Sequence, residues 1–135
     1  MKREKAERCQ ARVRENVQSQ MGRVISIHEY RLKPDIEAAA FELAIHKAEE
    51  LGLLQFPGLV GFHFVRGLRG VRQGLYAAIW IYSSLDAWEA LWGPVDEPIR
   101  PEQYPEKWKI WEDQVLTQYL DGKPDRLVYT AYEEI

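Results

Sequence analysis

The run Leu75 to Tyr82, LYAAIWIY, constrains the fold of this chain more than any other stretch. It alternates between Leu75, Ala77, Ile79 and Ile81 on one side and Tyr76, Ala78, Trp80 and Tyr82 on the other. Successive side chains of a strand point to opposite faces, so this is a strand that is apolar on both faces. Both faces need cover, which places the strand inside a sheet with material packed above and below it.

The neighbouring sequence extends this strand into a unit. Val60 to Arg66 reads as a second strand, with Phe62 and Phe64 opposed to Gly61, His63 and Val65; the pattern leaves open which set points inward. Gly67 to Gly74 is read as a flexible hairpin loop. Its glycine spacing matches no phosphate-binding fingerprint, and no helix follows it to supply backbone donors. After the strand, Ser83 and Asp86 match a capping box that opens a short helix, with Leu85, Trp88, Leu91 and Trp92 on its buried side before Gly93-Pro94 ends it.

Upstream, Arg23 to Leu32 alternates as a strand, Ile25 and Ile27 against Val24, Ser26, His28 and Tyr30. Lys33-Pro34-Asp35 ends it and caps a helix expected over 36–51, stopped by Gly52. Its expected inner face is Ile36, Ala40, Leu43, Ala44, Ala48 and Leu51, with Glu42, His46, Glu49 and Glu50 in solvent. Downstream, an irregular segment with Pro98 and Pro101 leads into a helix from about Pro105. That helix carries Trp108, Trp111, Val115 and Tyr119 at helical spacing, widened by Leu116 and Leu120. The last strand is expected from Leu127 to Glu133, with Tyr129 and Tyr132 on opposite faces.

The order of elements predicts an α+β fold: a ferredoxin-like βαββαβ antiparallel sheet, strand order 4-1-3-2, helices on one face and an extra helix before the last strand. If Ile25, Ile27, Ala77, Ile79 and Ile81 meet the helices, the other face carries Ser26, His28, Tyr30, Tyr76, Trp80 and Tyr82 without intrachain cover. An apolar face of that kind predicts a homodimer.

The domain is expected over 22–135, after a basic extension over 1–21. That extension has six Lys/Arg, three Glu and a thin stripe of Ala6, Cys9, Val13 and Val17. It reads as a frayed arm, as a helix docked on a partner subunit, or as sequence upstream of a start at Met21. The remainder has eighteen Asp/Glu against twelve Lys/Arg, an acidic balance that repels phosphate backbones and argues against nucleic acid as partner. Cys9 is the single cysteine, so no internal disulfide forms. No apolar run approaches the roughly 20 residues that span a bilayer, and no secretory leader is readable; membrane association is not expected, and the cytoplasm is the expected compartment.

The pattern VISIHEYRLKPD, the Pro-Gly-Leu-Val hairpin entry and LYAAIWIYSSLDAWEALWG resemble the dimeric α+β barrel superfamily, in particular its antibiotic-biosynthesis-monooxygenase-like branch. The resemblance covers roughly residues 22–133 and rests on element order and pattern. It implies two sheets facing one another across a dimer, with a pocket between sheet and helices in each subunit. It also implies a range of activities that includes cofactor-independent monooxygenases, heme-degrading enzymes, isomerases and proteins without known activity. The heme-degrading members place an Asn on the first strand and a His on the second helix. This chain has Ser26 or His28 in the first place and no His from Leu85 to Trp92, which argues against heme.

His28 is the candidate catalytic residue, a base able to take a proton from a phenolic or enolic substrate so that it can react with oxygen. Ser26, Tyr30, His63, Tyr76, Trp80 and Tyr82 are the candidate ligand-binding residues. A metal site on His28 and His63 is not expected: their strands are separated by a third, about 9–10 Å across, against zinc–nitrogen bonds of about 2 Å. No cofactor is expected. Two functions stay open: a small-molecule-binding protein, cofactor-independent monooxygenase chemistry included, or a noncatalytic protein whose aromatic face only makes the dimer.

Overall fold

The computed structural model describes residues 22–123 and 127–135. The expectations for residues 1–21 lie outside the described residues. Strand β1 (Val24–Tyr30) is followed by helix α1 (Ala38–Glu50), strands β2 (Leu59–Arg66) and β3 (Tyr76–Tyr82), and helix α2 (Leu85–Trp92). A 3-10 turn (Pro101–Gln103) leads into a long helix α3 over 106–119, and strand β4 (Tyr129–Glu133) completes the sheet. The four strands lie in the order β2-β3-β1-β4, every pair antiparallel. This is the ferredoxin-like arrangement expected from the element order.

The faces of the sheet are the reverse of the expectation. Val24, Ser26, Tyr30, Tyr76, Ala78, Trp80 and Tyr82 are buried beneath the helices, joined by Phe62 and Phe64. Ile25 and Ile27 on β1 and Ala77, Ile79 and Ile81 on β3 occupy the other face and are only half-buried. The physical reason lies in the helix layer. It presents Phe41, Trp108 and Trp111, whose large rings interdigitate with the sheet's aromatic side chains at centroid separations of 5.2–5.7 Å. The flatter, β-branched face is left for a second layer. The aromatic face therefore has intrachain cover, and the face without it is aliphatic.

Helix α1 differs in start and in face. It begins at Ala38 with Glu37 at its N-cap and no side-chain cap. Its buried residues are Phe41, Ile45 and Ala48, spaced by four and three, while Leu43 and Leu51 are 55% and 75% exposed. The ring of Phe41 decides this, since it fills the space between Tyr30 and Tyr76 at 6.0 and 5.3 Å. Gly52 takes a positive φ of 72°, as the expected helix stop requires.

Helix α2 is capped by Ser84 rather than Ser83, with the Ala87 N–H donating to Ser84 Oγ at 3.0 Å. Helix α3 is α-helical over Glu106–Ile110, π-helical over Trp111–Leu116 and α-helical again over Thr117–Tyr119. The wider turn adds a residue to the repeat, so the fully buried positions run Trp108, Trp111, Leu116 and Leu120, while Val115 and Tyr119 pack half-buried beside them, all within the expected stripe. The hairpin loop is closed by backbone bonds, with Gly67 N–H donating to Leu75 O and Gly74 N–H to Gly67 O, both at 2.8 Å. Strand β4 is shorter than expected, and it does place Tyr129 opposite His28 and Tyr132 opposite Ile25, on the two different faces.

Candidate functional site

The alternation of β1 puts Ser26 and His28 side by side on the helix-facing surface. Their cross-strand neighbours include Ala78 beside His28 and Ala131 beside Ser26. These small side chains leave room above the strand for rings from the helix layer. Trp108 of α3 lies over His28 with ring centroids 5.6 Å apart and nearly perpendicular, and Tyr129 flanks it at 5.5 Å. Trp108 also meets Trp80 and Trp92, both at 5.2 Å, so the His28 ring stands at the end of a continuous aromatic cluster.

A pocket of about 210 Å³ opens beside this pair, with Ser26 and His28 among its lining residues. That is smaller than the roughly 300–1,000 Å³ of drug-sized ligand sites and suits a small, compact ring compound. Trp88 and Trp92 come from α2, Tyr104 from the turn before α3, Trp108 from α3 and Tyr129 from β4; Glu112 also reaches the wall. The rim carries Pro94, Pro98 and Pro101, residues that restrict backbone freedom and hold a loop in one shape. Gly93 makes the fold-back possible. Its φ is 89°, and a Cβ there would stand 2.7 Å from Glu97 O and 2.8 Å from Ile99 N.

Ser26 Oγ and His28 Nε2 are 3.0 Å apart, a hydrogen bond whose direction depends on the imidazole tautomer. Burial lowers the His28 pKa to about 4, so the ring is neutral at pH 7. Tyr82 is pushed up to about 12 by burial, partly offset by the Trp92 indole N–H, which donates to its hydroxyl at 3.3 Å. Burial also raises Tyr30, and the nearby Trp111 indole offsets part of that rise, although neither polar atom meets hydrogen-bond geometry. The pocket is therefore rich in aromatic rings, with a neutral, switchable donor–acceptor pair, Ser26 and His28, and Glu112 in its wall.

Of the residues singled out in the sequence, Ser26, His28 and Tyr82 come together at this pocket. Trp80 is fully buried and supports it through contacts with His28 and Trp108. Tyr30 and Tyr76 lie at the other end of the sheet, beneath Phe41. His63 stands on the opposite, aliphatic face beside Ile79, so it and His28 cannot meet across the sheet. Among the described residues no three His, Cys, Asp or Glu side chains form a metal-ligating group, and no helix is long and apolar enough to cross a membrane. Trp88, Trp92 and Trp108 line the pocket although helical spacing read them as core, and Tyr104 and Tyr129 line it without having been singled out as site residues. The signal that could have separated them is the proline-rich segment 94–105, which keeps α2 and α3 from closing fully on each other.

Sheet order and helix layer together define a ferredoxin-like α+β fold. No family model matches the chain, and no curated protein matches it by sequence. Among solved structures, a candidate antibiotic biosynthesis monooxygenase from Caulobacter crescentus is similar at a TM-score of 0.56 and 15% identity, over 90% of this chain and 98% of that one. A candidate antibiotic biosynthesis monooxygenase from Bordetella bronchiseptica gives 0.57 and 12%, over 84% and 98%. A dimeric ferredoxin-like protein of unknown function from Thermobifida fusca gives 0.55 and 14%, over 84% and 92%. At such identities the likeness shows the shared fold.

Proposed function

We propose that the protein is a homodimeric small-molecule-binding α+β barrel protein whose aromatic pocket takes a planar aromatic or phenolic compound, with cofactor-independent monooxygenation as its reaction. The observation that carries this reading is the Ser26–His28 pair set in the wall of a pocket where aromatic rings share the lining with prolines, aliphatic side chains and Glu112. Flat walls of Trp and Tyr favour a flat ligand through offset and edge-to-face stacking. A neutral imidazole favours an uncharged hydroxyl or carbonyl over a carboxylate or phosphate. For turnover, His28 accepts the proton of a substrate hydroxyl, with Ser26 fixing the ring, and the electron-rich phenolate reduces dioxygen by four electrons: one oxygen atom becomes a ring carbonyl, the other leaves as water, and the phenol ends as a quinone. Homodimerisation is supported by the aliphatic face of Ile25, Ile27, Ile79 and Ile81, which this chain leaves half-covered, and by one similar protein described as dimeric.

A noncatalytic binding role is favoured by one specific observation, the His28 pKa of about 4. A base works best with a pKa near the working pH, and burial has made this one weaker than an ordinary histidine. Substituting His28→Phe separates the two roles. Catalysis by His28 predicts retained binding and a loss of turnover of roughly 10²–10⁴-fold. Unchanged turnover in the variant would assign His28 to the pocket wall.

A further inference from the structure

The aromatic pocket has polar groups on two sides. Ser26 and His28 stand on β1, and Glu112 stands on α3. Among the described lining residues Glu112 supplies the one carboxylate. Trp108, whose ring lies over His28 at 5.6 Å, precedes Glu112 by four residues. The two therefore share one side of α3, with Glu112 about one turn, roughly 5 Å, farther along the helix. Glu112 is half-buried, while its neighbours Asp113 and Gln114 are exposed. Its charge also acts beneath the helix layer: burial is the main cause of the raised Tyr30 pKa, and Glu112 adds to it. The side chain is thus turned toward the sheet and the pocket. A carboxylate offers about four acceptor sites, so a bond to another protein group leaves room for a ligand donor.

We propose that Glu112 sets the ligand specificity of this pocket: it accepts a hydrogen bond from a second hydroxyl on the ring system whose first hydroxyl meets Ser26 and His28, and so selects dihydroxylated aromatic compounds. The inference rests on the reading of the pocket as a site for flat hydroxylated aromatics, and adds a second anchor point to it. The two anchors differ in kind. The neutral pair either donates or accepts, whereas a carboxylate accepts only and demands a donor at its position. Hydrogen bonds to a carboxylate are roughly twice as strong as those between neutral groups. A ligand without the second hydroxyl sets an apolar ring edge against the carboxylate and strips it of water, which is costly. A ligand with its own carboxylate there is repelled, and more strongly than in bulk water. One turn of α3 is about the length of two fused rings, so both hydroxyls fit on one compact compound.

Calorimetric titration of the full chain at pH 7 compares 1-naphthol, 1,5- and 1,6-dihydroxynaphthalene and 5-hydroxy-1-naphthoate, in the parent and in Glu112→Gln and Glu112→Leu. In the parent one diol should bind about tenfold tighter than 1-naphthol, and the hydroxynaphthoate about tenfold weaker. Glu112→Leu, without an acceptor, should lose the diol preference while holding 1-naphthol within about threefold. Glu112→Gln keeps an acceptor without the charge, and should retain part of the preference and admit the hydroxynaphthoate. A purely structural role for Glu112 would weaken all the compounds alike and leave their ratios unchanged, which would overturn the proposal. No binding by any compound overturns the reading of the pocket itself, and this assignment with it. The assignment of Glu112 alone is overturned by 1-naphthol binding without a diol preference, by a preference that survives in Glu112→Leu, or by hydroxynaphthoate binding as tight as that of 1-naphthol.

Discussion

Ser26 Oγ and His28 Nε2 lie 3.0 Å apart, two residues apart on one strand and on the same face of it. The strand's period of two brings the pair together without any loop, and the sheet keeps its geometry fixed. Trp108 covers the pair from the helix layer, which excludes water from the imidazole and lowers its pKa to about 4. The burial and the partner of His28 thus follow from one alternation in VISIHEY.

The pH dependence of stability tests that burial. His28 is lowered from 6.5 to about 4 on folding, so between those values the unfolded chain binds the proton and the native chain does not. Stability contributed in this way is complete above pH 6.5 and is lost as pH falls toward 4, by up to about 3 kcal/mol. Denaturant unfolding of the parent and of His28→Phe at pH 7 and pH 4.5 checks it. The parent should lose more stability over this interval than the variant, and parallel losses would contradict the assignment.

The face of α1 is tested by a pair of truncations. Phe41→Ala removes a fully buried ring packed on Tyr30, Tyr76 and Tyr119, and should cost about 3–5 kcal/mol in chemical unfolding. Leu43→Ala, on a side chain more than half exposed, should cost less than about 1 kcal/mol.

The dimer is tested on the aliphatic face. The parent should sediment at micromolar concentration at about twice 15.8 kDa. Placing an unpaired charge in the middle of that face with Ile27→Asp should give a folded monomer, because a buried charge without a partner is costly. A parent that sediments as a monomer would remove the need for a second layer over Ile25, Ile27, Ile79 and Ile81.

Element order and strand pairing were legible in the sequence because turn residues and two-residue alternation are local signals. Gly52 ends α1 and the hairpin joins β2 to β3 for reasons written in adjacent residues. Which face of LYAAIWIY turns inward was not legible, since alternation separates the faces without ranking two apolar ones. That choice depends on Phe41, Trp108 and Trp111, which come from other parts of the chain. The same dependence hid the inner side of α1, where one Phe outweighs Leu43 and Leu51. The apolar stripe of α3 was legible from spacing, Leu116 and Leu120 included, but the π-helical turn that makes those two its deepest later positions was not, because no regular periodicity anticipates an added residue. For the site, His28 and Ser26 could be named from β1 alone. Trp88, Trp92 and Trp108 could not, because a pocket-lining tryptophan and a core tryptophan have the same spacing, and Tyr104 lies in an irregular segment with no periodicity to read.

The central claim is that the cleft beside His28 receives a flat aromatic hydroxyl compound. Isothermal titration of the protein with 1-naphthol at pH 7 tests it most directly, run in parallel on Trp88→Ala, which removes a half-buried wall of the pocket. The account predicts saturable binding with one site per chain, weakened at least several-fold in Trp88→Ala. No saturable heat, or equal binding by the parent and Trp88→Ala, would contradict it.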